Sequence, residues 1–171
     1  RCLETVAIGL WGRLKEKKDQ VLVLSDLQEM ARNVDTFSLA DPKGLPPLLT
    51  LPSTLGSSDL KLDTMFEASR NGGQKQMFIP AMDRLSSFAA WCFESQEVKG
   101  GDTTVITSGH SLYFRTFFQA FLGRAVEHEA KKKKIANAGA VALTFERGVV
   151  DGKMVYRVDP NSVKVIYVGF E

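Results

Sequence analysis

The sequence predicts an α/β fold, a three-layer sandwich in which a mostly parallel sheet carries helices on both faces. The chain has 171 residues, 44% of them hydrophobic and 25% charged, which suits one globular domain with a sizeable core. Two short runs of branched apolar residues, VLVLS (21–25) and TTVITS (103–108), have the composition of buried strands. Segments with the apolar spacing of helices alternate with these runs, which is typical of a parallel sheet covered by helices.

The first element is predicted to be an amphipathic helix in RCLETVAIGLWGRL. Its apolar residues recur at spacings of three and four, at Leu3, Val6, Leu10 and Leu14. The chain begins without Met and inside this helical pattern, so we expect a fragment whose N-terminal part lies upstream. We interpret residues 1–171 as one partial domain.

The middle of the chain alternates loop and helix signals. After the run 21–25 comes a long connection rich in proline, glycine and serine, and connections of this length usually serve as lids or binding loops. LKLDTMFEASRNGG (60–73) predicts a short helix that is stopped by glycines. PAMDRLSSFAAWCFESQEV (80–98) predicts a longer helix, with apolar residues at helical spacing.

The last third of the chain predicts one more helix and several strands. The helix lies in LYFRTFFQAFL (112–122), and its N-cap is Ser111, or Ser108 if the helix starts early. AGAVALTFER (138–147) and SVKVIYVGF (162–170) predict strands. KMVYRV is expected to pair with the first of these in a hairpin across GVVDG.

Composition excludes several functional classes. The net charge is only +2, so the chain lacks the strong field that would favour nucleic acid or a membrane surface. Cys2 and Cys92 form neither a disulfide framework nor a metal-ligand pattern, which favours a reducing, cytoplasmic compartment. No apolar run approaches the ~20 residues that span a bilayer. We expect no metal and no cofactor.

Polar residues follow both predicted core strands, where ligands bind in open parallel sheets. Asp26 and Glu29 follow the first strand, and Gly109 and His110 follow the second. The helix that starts near Ser111 directs its free N–H groups and the positive end of its dipole toward the same space. The pattern predicts an anion site, although a single histidine at this place is also compatible with a simple turn residue.

A rival interpretation makes Ser111 the nucleophile of a serine esterase. The segment GHSLY partly matches the G-x-S-x-G turn of the α/β-hydrolases. However, Tyr113 stands where that motif has its second glycine. The only downstream histidine, His128, follows the same helix with no strand between, so this interpretation ranks second.

Three segments together resemble the histidine phosphatase superfamily, the phosphoglycerate mutase-like proteins. VITSGHSLYFRTFFQAFL is similar to the family's second histidine motif, with His110 as the phosphate-contacting residue. RCLETVAIGL is similar to the arginine motif R-A-x-x-T-A, with matches at Arg1 and Thr5. VLVLSDLQEM is similar to the strand and L-x-E segment that supplies an acid, here Glu29. The order arginine, glutamate, histidine is the family order.

The resemblance implies both a fold and a reaction. The implied fold is the phosphoglycerate mutase-like sandwich with its first strand missing. The implied reaction is hydrolysis of a phosphomonoester through a phosphohistidine. The family's nucleophilic histidine belongs to an R-H-G motif, which the chain lacks. We therefore expect the nucleophile upstream of this fragment, and the fragment alone to be inactive. A catalytically inactive phosphate-binding relative is the alternative.

The same resemblance implies roles for individual residues. Arg1 and His110 would hold the phosphoryl oxygens, and the backbone N–H of Ser111 would add a donor. Glu29 would protonate the leaving oxygen and then accept a proton from water.

Further substrate-binding candidates are Arg32 and Asn33, in the long loop, and Asn137. The lysines 131–134 form either a solvated face or a basic rim that attracts anions. The expected partner is a small phosphorylated substrate or a phosphoprotein, with neither nucleic acid nor membrane. The sequence leaves open which substrate is used and whether the protein acts as a mutase or a phosphatase. It also leaves open the oligomeric state and the organelle.

Overall fold

The computed structural model describes residues 2–17, 19–31, 40–45, 62–74, 79–95, 98 and 103–171. The chain divides into two compact units, Arg1–Ile79 and Pro80–Glu171, which are described in turn. None of the helices within these residues combines the length and the apolar character that crossing a bilayer requires.

The first unit contains short helices and one pair of parallel strands. In chain order they are α1 (Cys2–Gly9), α2 (Trp11–Lys17), β1 (Val21–Leu22), a 3₁₀ turn (Ser25–Leu27), α3 (Leu62–Met65) and β2 (Phe66–Glu67). Val21 of β1 lies opposite Phe66 of β2, and Leu22 lies opposite Glu67. The predicted helix at the start of the chain is therefore confirmed, with an interruption at Leu10.

The core of the first unit lies between these helices and strands. Its buried residues are Ala7, Leu14, Met65 and Phe66. Leu3, Val6 and Leu10 pack against them, so the apolar face predicted for the opening helix is the face that enters the core.

The second unit contains two longer helices and four strands among the described residues. They are α4 (Ala81–Glu94), α5 (Ser111–Phe121), a 3₁₀ turn (Glu129–Lys131), β3 (Ala140–Ala142), β4 (Phe145–Val150), β5 (Lys153–Val158), a 3₁₀ turn (Pro160–Ser162) and β6 (Lys164–Tyr167). The predicted hairpin is confirmed as β4 and β5, which pair antiparallel along all six residues. Its two turn residues, Asp151 and Gly152, have φ of 50° and 72°, as a tight turn between twisted strands requires.

β3 and β6 form a second antiparallel pair, with a bulge between Ala140 and Val141. The pairing continues toward the C-terminus, where Ile135 and Phe170 form a bridge. The backbone of Glu171 exchanges two hydrogen bonds with that of Lys134, of 2.9 and 3.0 Å. The last residues of the chain are thus held by the segment that precedes β3.

An aromatic cluster forms the core of the second unit. We define it as Phe88, Phe93, Phe117, Phe121, Phe145 and Tyr156, which join α4, α5 and the β4–β5 hairpin. The ring of Phe117 lies 4.9 Å from that of Phe121 and 5.2 Å from that of Phe145. The predicted apolar stripe of α5 thus packs in the core, and contacts of this kind add to the stabilisation from burial alone.

The predicted three-layer sandwich with a mostly parallel sheet, the phosphoglycerate mutase-like arrangement, is wrong for the described residues. They contain three separate two-stranded sheets, of which only β1–β2 is parallel. The C-terminal strands β3 to β6 follow one another without an intervening α-helix, and a two-residue turn joins only antiparallel neighbours. The alternation of helices and strands that favoured a parallel sheet therefore ends after α5.

One predicted strand is wrong and another is divided in two. Residues 103–108 belong to no strand, and Val105 and Ile106 are 37% and 60% exposed. Branched residues favour extended backbone, but they do not supply the neighbour whose hydrogen bonds define a strand. The predicted strand 138–147 is interrupted after Ala142, and its two parts, β3 and β4, pair with different partners.

Candidate functional site

His110 occupies the N-cap position of α5. Its backbone is extended, with φ −85° and ψ 147°, and its carbonyl accepts a 3.2 Å hydrogen bond from the N–H of Phe114. The half-buried imidazole does not cap the helix itself. The predicted N-cap, Ser111 or Ser108, is therefore wrong, since Ser111 is already the first helical residue. His110 keeps the dihedral angles of the preceding segment and so takes the cap position.

The start of α5 has the properties of an anion site. The first N–H groups of an α-helix have no acceptor within the helix, and its dipole makes this end positive. The first turn of α5 contains no acidic residue that would compete for these donors. His110 and Ser111 are adjacent here, so an imidazole and a helix N-terminus lie at one place.

A buried aromatic residue fixes this helix end. Tyr113 is fully buried, and its ring packs edge-on against Phe88 of α4 and against Phe114. The position that the esterase motif reserves for glycine is therefore filled by a core side chain. Its packing holds the first turn of α5 and with it the backbone of His110.

His128 has a structural role of its own. Its Nδ1 accepts a 3.1 Å hydrogen bond from the N–H of Ala130 and so caps the 3₁₀ turn Glu129–Lys131. Its ring packs edge-on against that of Phe170, with the ring centroids 6.4 Å apart. Because Nδ1 is occupied as a helix cap, this histidine is poorly suited to serve as the base of a serine nucleophile.

Glu29 lies in the first unit, two residues after the 3₁₀ turn that follows β1. It is buried, with 8% of its surface exposed. One carboxylate oxygen, Oε1, accepts from the backbone N–H of Met30 at 2.6 Å and of Ala31 at 3.4 Å. The carboxylate is thus folded back onto its own chain and held in one orientation.

Sequence reasoning missed a polar hub at Asn71, just after β2. Asn71 is 4% exposed, and its Oδ1 accepts from the Ser25 hydroxyl at 3.1 Å and from the Gly73 N–H at 3.0 Å. Its Nδ2 donates to the carbonyl of Gly44 at 2.7 Å. The signal was the pair Asn71–Gly72, a dipeptide that marks a turn. That stretch was instead interpreted as the end of a helix.

The predicted site residues fall in different parts of the chain. Glu29 belongs to the first unit, and His110 and Ser111 to the second. Asn137, also in the second unit, is exposed in a tight turn that the Gly139 N–H closes onto the Ala136 carbonyl at 2.8 Å. The remaining candidates, Arg1, Arg32 and Asn33, lie outside the described residues.

Three of the four consecutive lysines have defined partners. Lys131 Nζ donates to three backbone carbonyls, those of Gly123, Arg124 and Val126, at 3.2, 3.2 and 2.9 Å. Lys132 pairs with Glu127 and Lys133 with Glu129. The hydrogen bond from Lys132, together with its charge, lowers the pKa of the Glu127 carboxyl below its usual value. These lysines therefore stabilise their own loop, which weakens the interpretation as a basic rim.

No family model matches the chain, and neither does any curated protein or solved structure. Within the ranges that the structure describes, no group of three or more His, Cys, Asp or Glu side chains could hold a metal ion. Any function must therefore be inferred from the residues themselves.

Proposed function

We propose that the protein binds the phosphoryl group of a phosphomonoester at the N-terminus of α5, as part of a phosphatase that works through a phosphohistidine. The observation that carries this proposal is the position of His110, at the N-cap of an eleven-residue helix whose first turn has no acidic residue. The motif order Arg1, Glu29, His110 supports it independently.

The chemistry of this helix end suits a phosphate dianion. Helix N–H groups and the helix dipole favour an anion, and an imidazolium donates a charge-assisted hydrogen bond to its oxygens. These interactions strengthen as charge accumulates on the transferred group. His110 would therefore stabilise both the bound phosphate and the transition state of its transfer.

The remaining roles follow from the resemblance. A histidine outside the 171 residues would attack phosphorus and release the ester oxygen, which Glu29 would protonate. Water would then cleave the phosphohistidine, with Glu29 accepting its proton. Arg1 would bind two phosphoryl oxygens with its guanidinium, and Arg32, Asn33 and Asn137 would contact the rest of the substrate. We propose a cytoplasmic location, because the two cysteines of the sequence, Cys2 and Cys92, do not form a disulfide framework.

A second candidate is a protein that binds phosphate without turnover. It is favoured by the two histidines of the chain, since the side chain of His128 caps a 3₁₀ turn and His110 only occupies the N-cap position of α5. Neither belongs to an R-H-G motif. Both candidates require the same anion site at α5 and differ only in whether a nucleophile is supplied.

Phosphate binding is tested by titrating inorganic phosphate into the 171-residue protein and following imidazole and backbone NMR signals. We expect saturable shifts at His110, Ser111 and Leu112, and binding at least about tenfold weaker in His110→Gln. His128→Gln is the matched control and should bind as the parent does. Equal binding by His110→Gln, or shifts centred on the lysines 131–134, would refute the site.

Hydrolysis is tested with 4-nitrophenyl phosphate and the longest encoded form of the protein. Activity should collapse in His110→Ala and persist in Ser111→Ala. Loss of activity only in the serine variant would refute the role of His110 and favour Ser111 as the nucleophile. An inactive protein that still binds phosphate through His110 would favour the second candidate.

A further inference from the structure

The carboxyl ends of β1 and β2 are joined by a polar clamp, which we define as Ser25, Gln28 and Asn71 with the backbone of Gly72 and Gly73. The Ser25 hydroxyl donates to Asn71 Oδ1 and accepts from the Gly72 N–H at 2.6 Å. Gln28 Nε2 donates to the Gly73 carbonyl, also at 2.6 Å. These bonds connect parts of the chain 45 to 47 residues apart.

Glycine is required where the clamp closes. Gly73 has φ of 77°, and a Cβ there would lie 2.9 Å from Cδ of Pro42. A third segment joins at the same point, because the Lys43 N–H donates to the Asn71 carbonyl at 2.7 Å. The buried Asn71 side chain has its own partners at both Oδ1 and Nδ2, as burial of an amide demands.

The clamp ends immediately before Glu29. Ser25 begins the 3₁₀ turn, and Gln28 is its C-cap, with an extended backbone of φ −61° and ψ 154°. Fixing Ser25 and Gln28 therefore fixes the direction in which the chain enters Glu29. The carboxylate of Glu29 is in turn held on the N–H groups of Met30 and Ala31.

We infer that Gln28 and Asn71 are positioning residues for the Glu29 carboxylate. The inference deepens the proposed function and rests on it, since Glu29 is the group to which proton transfer is assigned there. A general acid must be placed to within hydrogen-bond reach of the leaving oxygen. Among the described residues, one hydrogen-bonded path to Glu29 runs from Asn71, after β2, through Ser25 to the 3₁₀ turn that Gln28 caps.

Two glutamines offer a matched test. Gln20, just before β1, donates through Nε2 to the Thr64 carbonyl at 3.1 Å, and this bond joins residues 44 apart in the chain. The bond from Gln28, which lies after β1, joins residues 45 apart. Gln28→Leu and Gln20→Leu remove the same kind of bond. We expect amide exchange at Met30 and Ala31 to be about five- to tenfold faster in Gln28→Leu and unchanged in Gln20→Leu.

A spectroscopic signal reports on the carboxylate itself. The ¹³C shift of the Glu29 carboxyl should move in Gln28→Leu and not in Gln20→Leu, and Glu29→Ala sets the upper limit of amide exchange. Ser25→Ala, a smaller change in the same clamp, should reproduce both effects if Gln28→Leu does not fold. Equal effects of the two glutamine variants, or none in Gln28→Leu and Ser25→Ala, would overturn the inference.

These measurements are independent of the proposed anion site. Failure of phosphate to bind at His110 would refute the proposed function, while the exchange data would still decide whether the clamp positions Glu29. In a form of the protein that hydrolyses phosphate esters, Gln28→Leu should lower kcat about fivefold more for an alkyl phosphate than for 4-nitrophenyl phosphate. An equal loss for both substrates would show that the clamp has no part in protonating the leaving group.

Discussion

The strand pair β1–β2 and the hairpin β4–β5 are stabilised in different ways. β1 and β2 have two residues each, run parallel, and are joined at their ends by side-chain hydrogen bonds from Ser25, Gln28 and Asn71. β4 and β5 have six residues each, run antiparallel across a two-residue turn, and rest on the aromatic cluster. The first pair closes a long loop with few contacts, whereas the second closes a short one with many.

The difference indicates which substitutions should destabilise each unit most. A two-residue ladder contributes little by itself, so the first unit depends on its apolar helices and on one buried asparagine. The second unit distributes its stability over several large rings, and removing one of them leaves a cavity that the others cannot fill. Substitutions in the two regions should therefore differ in size and in the part of the chain they affect.

The largest effect is expected for Phe117→Ala. Phe117 is 5% exposed, and its ring contacts those of Phe88, Phe121 and Phe145. Its truncation should lower the free energy of unfolding of the second unit by about 3–5 kcal/mol, measured by urea denaturation. Phe114→Ala, at a half-buried position of the same helix, is the control and should cost distinctly less. Equal losses would contradict the assigned role of the cluster.

A smaller effect is expected for Asn71→Ala. The change removes three side-chain hydrogen bonds and leaves the buried Gly73 N–H without its acceptor. The first unit should lose about 2–3 kcal/mol, measured by amide exchange of its own residues, with the second unit unaffected. Asn161→Ala at an exposed position should stay within about 0.5 kcal/mol. A similar loss in both asparagine variants would exclude a hub at Asn71.

Local elements were predictable from sequence because their signals are local. Helical periodicity predicted α4 and α5, and the pattern of two apolar runs around GVVDG predicted the β4–β5 hairpin. The pairing of β1 with β2 was not predictable, because its partners lie far apart and each contributes only two residues. Phe66 and Glu67, which form β2, were interpreted as part of a helix for the same reason.

The candidate site was predictable only in part. His110 stands at a boundary between a branched apolar run and a helical pattern, and that boundary alone places it at the start of α5. The hub at Asn71 was missed because two of its three side-chain partners, Ser25 and Gly44, come from distant segments of the chain. Hydrogen bonds across such separations have no periodicity in the sequence.

A third prediction concerns the lysines that follow α5. Lys131→Met removes the ammonium group that binds the carbonyls of Gly123, Arg124 and Val126, and should cost about 1–2 kcal/mol in thermal or urea unfolding. Lys134→Met, with an exposed side chain, should cost less than about 0.5 kcal/mol. If the two variants were equally stable, the carbonyl contacts of Lys131 would contribute nothing measurable.

The smallest effect at neutral pH is expected for Cys92 in α4. Burial raises the pKa of its thiol from 9.0 to about 12. Above pH 9 the unfolded chain releases this proton while the folded chain retains it, so stability falls as pH rises toward 12. Unfolding curves between pH 7 and 10.5 should show this decline, and Cys92→Ala should reduce it. An unchanged pH dependence in that variant would show that the thiol is not the cause.

The engagement of Lys132 and Lys133 with glutamates bears on how fast an anionic ligand would arrive. Opposite charges held this close produce little field at a distance, and salt screens what remains over about 10 Å at 0.1 M ionic strength. If the α5 terminus captures phosphate, its association rate should therefore respond only weakly to added salt. Encounter would then be governed by diffusion and not by long-range attraction to these lysines.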